Sequence, residues 1–229
     1  MCSRATARRP DRFRTCYPAI DFAKVEARLN PRYNIGPRQT VVGVASDAPH
    51  AATLLSWGLL PAWAKDWKDG ARCINAKADG VASKPSFRSA WKHGRRCIIF
   101  ADGYLEWMTR AGKKIPELFE VDGGAPFVFA GLWEDWRRPP SDPKAGETLR
   151  TATVITCEAN DLVRAVNDRM PVILDAAQVD AWLGGSPDHA AQMLKPFDSI
   201  RMDYREVNPI INKVGVDTPE CVEPPPLAT

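Results

Sequence analysis

Cys2 directly follows the initiator methionine. Removal of Met1 would leave a thiol and a free α-amine on one residue, groups that titrate near about 8.5 and about 8 and so are both partly nucleophilic at neutral pH. Such a residue can attack an amide with its own amine as base, or it can capture a carbonyl carbon. The plain alternative is an ordinary cysteine on a frayed end. Three further stretches set polar groups among apolar neighbours. ADGYLEWM holds Glu106 beside Trp107, where desolvation would raise the carboxyl's pKa toward general acid or base work; the alternative is an outward residue of an alternating strand. INAKAD holds Asn75, a hydrogen-bonding partner for a base or sugar, or a turn residue. AVNDRMPVIL sets Asn167, Asp168 and Arg169 just before a strand.

Two basic clusters accompany these residues: Arg4, Arg8, Arg9, Arg12 and Arg14 at the amino end, then Lys84, Arg88, Lys92, Arg95 and Arg96. Each is either a phosphate-binding face or a solvated surface. The net charge of +3 argues against a polybasic nucleic-acid binder. The six cysteines form no C-x-x-C pair and stand apart from the three histidines, so no metal site is expected. Nucleotide-fold signatures are missing. So are an apolar leader and a run long enough to span a bilayer. We therefore expect a cytosolic protein with reduced thiols and no bound cofactor.

The elements that must position these groups follow from periodicity and turn residues. DFAKVEARLN has helical spacing and stops at Asn30-Pro31. Two strands joined through DAPHAA come next, ending at LLSWGLLPAW. KPSFRSAWKHG predicts a short helix with Ser86 as N-cap and Gly94 at its end. Asp102-Gly103 and Asp122-Gly123-Gly124 read as hairpin turns within RRCIIFADGYLEWM and PELFEVDGGAPFVFAGLWEDW. RRPPSDPKAG is a polar loop and TATVITCEA a strand. NDLVRAVND, AAQVDAWL and SPDHAAQMLKPF supply short helices, with Asp175 capping the second. The pattern predicts an α+β fold, a bent antiparallel sheet closing into a β-barrel-like core with short peripheral helices. One domain over 2–220 is expected, followed by a disordered tail over 221–229.

MC-x-R at the start, RYNI-x-P-x-Q, WGLLPAWAKD, INAKAD, KPSFRSAWKHGRRCIIFADGYLEW, FAGLWEDW and TCEAND followed by NDRMPVIL together resemble, in order, the SOS response-associated peptidase (SRAP) family. The resemblance runs from Cys2 to about Leu183. It implies a monomeric sensor of abasic sites in single-stranded DNA, nucleoid-associated when bound, with a positively charged groove. It also implies that the Cys2 amine forms a Schiff base with the ring-opened sugar and the thiol closes a thiazolidine, shielding the lesion. A cysteine inside the chain has no free amine and cannot form that ring.

By the same resemblance Asn75 binds near the sugar, Glu106 moves protons, and Trp107 packs against the nucleotide. Arg4 and Arg169 hold flanking phosphates, and Lys77 stands where arginine is common, keeping charge without bidentate geometry. Trp67, with Pro61 and Trp63, is expected to stack on bases or to pack in the core. Two positions depart from the family pattern. Asn167 occupies the place of a histidine that serves proton transfer, and an amide has no titratable proton near neutral pH. Ser3 replaces a glycine, which restricts the backbone beside Cys2. Two other functions fit parts of the sequence: an N-terminal-nucleophile peptidase and a non-covalent single-stranded DNA module. The second leaves the position of Cys2 unexplained.

Overall fold

The structure, a computed structural model, describes residues 2–213 and 215–226. Met1, whose removal the chemistry above requires, and residues 227–229 of the expected tail lie outside them. Thirteen strands appear among the described residues. In chain order they are β1 (Arg4–Ala7), β2 (Arg32–Ile35), β3 (Thr40–Ala45), β4 (Ala52–Trp57), β5 (Asn75–Lys77), β6 (Arg96–Ala101) and β7 (Gly103–Arg110). Then come β8 (Lys113–Val121), β9 (Phe127–Arg137), β10 (Thr148–Glu158), β11 (Arg169–Pro171), β12 (Ile173–Leu174) and β13 (Met202–Glu206). The helices are short: α1 (Arg12–Cys16), α2 (Arg88–Lys92), α3 (Asp161–Arg164), α4 (Val179–Gly184) and α5 (Pro187–Gln192).

Strands β10, β4, β3, β6 and β9 are paired in sequence around a ring that the β9–β10 ladder closes. Closure leaves this barrel without free edges within the ring. β5 and β11 extend β10, and β12 extends β9. A second sheet runs β13-β8-β7-β1-β2. Most ladders are antiparallel, as expected, but β10 runs parallel to both β4 and β5. The near-unbroken apolar run of β6, Arg96–Ala101, is buried along its whole length. That pattern fits a strand covered on both faces. Phe13, Tyr17 and Phe22 pack on Phe100 from outside the ring, with centroids 5.0–5.2 Å away.

The DAPHAA connection joins an antiparallel β3–β4 pair, as expected. The Asp102-Gly103 and Asp122–Gly124 turns are not hairpins. β6 pairs β3 and β9, whereas β7 pairs β1 and β8, so the chain changes sheets at Asp102-Gly103. It changes back between β8 and β9, with positive φ at Asp122, Gly123 and Gly124. The tight hairpin of the second sheet is β7–β8, where Arg110 faces Lys113 across Ala111 and Gly112, both at positive φ. Two smaller expectations also change. Ser86 does not cap α2, whose N-cap residue is Phe87. The chain expected as a tail from 221 begins packed: Pro219–Val222 form a 3-10 turn and Cys221 is fully buried. Asn208 N donates to Glu223 O at 2.8 Å.

Asp102 fixes the amino-terminal strand at the sheet corner. Its buried carboxylate accepts from Thr6 Oγ1 at 2.6 Å, Arg8 N at 2.6 Å, Arg9 N at 2.9 Å and Arg8 Nε at 2.9 Å. Gly103 is required beside it, because a Cβ there would meet Thr6 Oγ1 at 2.8 Å and Leu118 Cδ1 at 2.9 Å. Arg8 also pairs with Glu120 at 2.6 Å, Arg9 donates to Gly124 O, and Arg14 pairs with Glu26. Much of the first basic cluster thus serves the fold rather than an open phosphate-binding face.

Candidate functional site

β1 runs beside β7 with Arg4 opposite Leu105 and Ala5 opposite Tyr104, which brings the amino end to the strand carrying Glu106. Asn75 lies at the start of β5, level with Val154 of β10. Asn167 sits in the turn between α3 and β11, and Val163 O accepts from its backbone N–H at 2.9 Å. These separate segments meet around Cys2. Asn75 Nδ2 donates to Cys2 O at 2.7 Å, and Asn167 Nδ2 donates to Glu106 Oε2 at 2.9 Å. Asn167 Oδ1 accepts from Arg169 N at 3.2 Å, so both ends of this amide are in use.

Cys2 is 0% exposed and its Sγ approaches Arg4 O at 3.8 Å. Burial pushes the thiol well above the ordinary cysteine range, and the nearby Glu106 carboxylate pushes it further. Glu106 is 3% exposed. Burial raises its carboxyl above the usual carboxylate range, while the Asn167 hydrogen bond pulls the other way. The thiol and the carboxyl therefore both hold their protons more tightly than they would in water.

The cations take different positions. Arg4 Nη1 donates to Ser3 O at 3.1 Å, and its guanidinium lies against Gly36, where a Cβ would come within 3.1 Å of Nη1. A side chain at Gly36 would push this guanidinium aside by a few tenths of an ångström. Among the described residues Arg4 has no carboxylate partner, so its charge is open to an anion. Arg169 is held by Thr156 O at 2.6 Å and by exposed Asp79 at 3.3 Å. Lys77 is exposed at the end of β5, opposite Thr156.

Trp107 departs from its expected place. Alternation along β7 puts Tyr104 and Glu106 on one face and Leu105 and Trp107 on the other. Trp107 Nε1 donates to Asn212 Oδ1 at 2.7 Å, and the ring packs with Leu105, Val207 and Ile211. It braces the carboxy-terminal segment instead of lining the Cys2 site. Trp67 opens a 3-10 turn, Trp67–Arg72, on a separate loop; it is 40% exposed, with the Arg38 guanidinium 3.4 Å from its ring centroid. Neighbouring Trp63 is 61% exposed. Both indoles are exposed, although the Arg38 guanidinium covers one face of Trp67.

Three residues at the site were not singled out from the sequence. Asp79 and Thr156 set the Arg169 side chain, and nothing local in the sequence marks them. Tyr104 is the third. Among the described residues its buried hydroxyl has no hydrogen-bond partner, and burial, with Cys2 and Glu106 nearby, raises it well above the phenol range. The i, i+2 spacing from Glu106 is the signal that places it on the same face.

Known proteins share both the sequence and the fold of this chain. The family described as SOS response associated peptidase (SRAP) matches residues 1–214. The abasic site processing protein YoqW of Bacillus subtilis (strain 168) is 37% identical over 209 residues, covering 89% of this chain and 91% of its own. The abasic site processing protein HMCES of Gallus gallus is 31% identical over 233 residues, covering 87% of this chain and 68% of its own. A crystal structure of a protein from Bacteroides thetaiotaomicron superposes with a TM-score of 0.81 at 26% identity, covering 98% of this chain and 97% of the other.

Proposed function

Because the chain belongs to the SOS response associated peptidase (SRAP) family, we propose that it processes abasic sites in single-stranded DNA by a covalent link through Cys2, after removal of Met1. The observation that carries the reading is the convergence on Cys2: Asn75 holds its carbonyl, and the Glu106 carboxyl lies near its thiol. The names of the curated relatives support the substrate.

The steps balance as follows. The neutral Cys2 amine adds to C1′ of the ring-opened sugar, and the carbinolamine loses water to give an imine. The Glu106 carboxyl donates the proton that the departing hydroxyl takes and can be recharged by the proton shed from nitrogen. The thiol then adds across C=N: sulfur bonds C1′ and nitrogen gains a proton, closing the thiazolidine. A thiol kept protonated by burial carries the proton this last step needs, so none has to be imported. Asn167 orients the Glu106 carboxyl but cannot deliver a proton. Crosslinking therefore proceeds, with ring-opening or release slower than with a histidine at this position. Arg4 and Arg169 offer charge-assisted bonds to the flanking phosphates.

The test is intact mass after incubation of the Met1-processed protein with an oligonucleotide bearing one abasic site. The expected product is protein plus oligonucleotide minus one water, stable to denaturation and resistant to borohydride. Cys2→Ala keeps an α-amine but no thiol, so it should give only an adduct that borohydride must trap. A denaturation-stable adduct in Cys2→Ala, or amide cleavage with no adduct in the wild type, would overturn the proposal.

A further inference from the structure

The second basic cluster closes on a cavity that shares no lining residue with the Cys2 site. It lies just past α2, around His93 and Gly94, where β6 begins and α4 leads into α5. Its volume is about 520 Å³, and Lys92, His93, Arg95, Arg96, Trp133 and Gly185 contribute to its wall. The acids beside it are already paired: Asp47 with Arg150 at 2.8 Å, and Glu134 with Arg95 at 2.7 Å.

Arg96 is different. It is 2% exposed, its Nε and Nη2 donate to Trp182 O and Gly185 O, and among the described residues its Nη1 has no hydrogen-bond partner. That nitrogen lies on the Gly94 side of the cavity wall, 3.8 Å from where a Cβ would stand. Among the described residues no carboxylate reaches Arg96, and burial alone pulls its guanidinium below the ordinary arginine value. An isolated buried cation is costly, and an entering anion relieves that cost. Arg150 is shared by Asp47 and Asp135, both at 2.8 Å, and Arg95 is cancelled by Glu134, so Arg96 and Lys92 leave a net single positive charge around the cavity.

We infer that this cavity is a second anion site that takes a phosphate group, with the buried Arg96 and the rim residue Lys92 as its cations. Among the described residues neither Arg96 nor Lys92 has a carboxylate partner, which suits a phosphate anion, and the volume leaves room for an attached ester. Neither the lesion chemistry nor the Arg4 and Arg169 contacts involve these residues.

The test is calorimetric titration at constant ionic strength with inorganic phosphate, dAMP and an oligonucleotide lacking any abasic site. Saturable phosphate binding is expected, weakened about tenfold or more in Lys92→Glu, the scale of one charged hydrogen bond. Arg96→Met should abolish it; because that variant can misfold, the exposed Lys92 substitution keeps the proposal testable. Weakening of phosphate and dAMP alone would identify a free phosphate ester, and weakening of all three a strand phosphate; either supports the site. Absence of saturable phosphate binding, or binding unchanged in Lys92→Glu yet lost in Arg169→Ala, would overturn it.

Discussion

Asp102→Ala is the perturbation that most directly couples the fold to the site. The carboxylate is fully buried and accepts four hydrogen bonds from the Thr6–Arg9 segment, at 2.6–2.9 Å. Alanine leaves the Arg8 guanidinium with only Glu120 as an acidic partner and strands two backbone N–H groups. Removing one member of a buried ion pair costs about 3–5 kcal/mol. For a chain of this length that lowers Tm by about 6–20 °C, at 2–4 °C per kcal/mol. Asp102→Asn keeps the shape and loses the charge, so about 1.5–3 kcal/mol is expected. Urea unfolding should show a lower midpoint at unchanged slope. Cys2 lies just ahead of the strand Asp102 pins, so the loosened terminus should crosslink abasic DNA about tenfold or more slowly per folded molecule. Stability of Asp102→Ala within about 1 kcal/mol of wild type would refute the clamp. An unchanged rate per folded molecule would refute its link to the site.

Three further outcomes follow from the same geometry. Asn167→His places a titratable ring against Glu106, and time courses should show faster adduct formation or reversal; equal rates for both proteins would remove the role given to this position. Glu106→Gln should slow crosslinking. It should also change the pH dependence of stability: a carboxyl raised on folding contributes stability below its unfolded value, near about 4.3, and loses it as pH rises through the folded value. Glu106→Gln should therefore gain on wild type in urea midpoint with rising pH, and a constant difference would contradict the burial argument. Asp79→Asn frees Arg169 from an exposed ion pair worth about 0–1 kcal/mol. Binding of single-stranded DNA without a lesion should tighten by up to about fivefold, and titrations showing weaker binding would refute this.

The barrel and its short helices were legible because apolar alternation and turn residues report local conformation. Which sheet a strand joins is not local. Asp102-Gly103 and Asp122–Gly124 carry hairpin chemistry yet turn corners between sheets, whereas Ala111-Gly112 makes a hairpin without the usual Asn or Asp. The parallel partners of β10 come from distant segments and leave no mark in its own sequence. Motif resemblance pointed to Cys2, Asn75, Glu106 and Asn167, which the fold gathers. It did not separate Trp107 from Glu106, although strand alternation puts neighbours on opposite faces. Long-range clamps, such as Asp217 accepting from Tyr33 N at 2.5 Å and Asn34 N at 2.8 Å, were invisible for the same reason.

Asn167 is made roughly 165 residues after Cys2. At about 5–20 residues per second, synthesis separates them by roughly eight to thirty seconds. β1 cannot be seated before β7 and the Asp102 corner exist, and the partners of β10 cannot pair until it has been made. The nascent chain thus carries Cys2 well before the set of residues proposed to direct it is completed at Asn167. The terminus remains open to processing before it is enclosed, and the proposed covalent capture of DNA would be a property of the finished molecule rather than of the peptide.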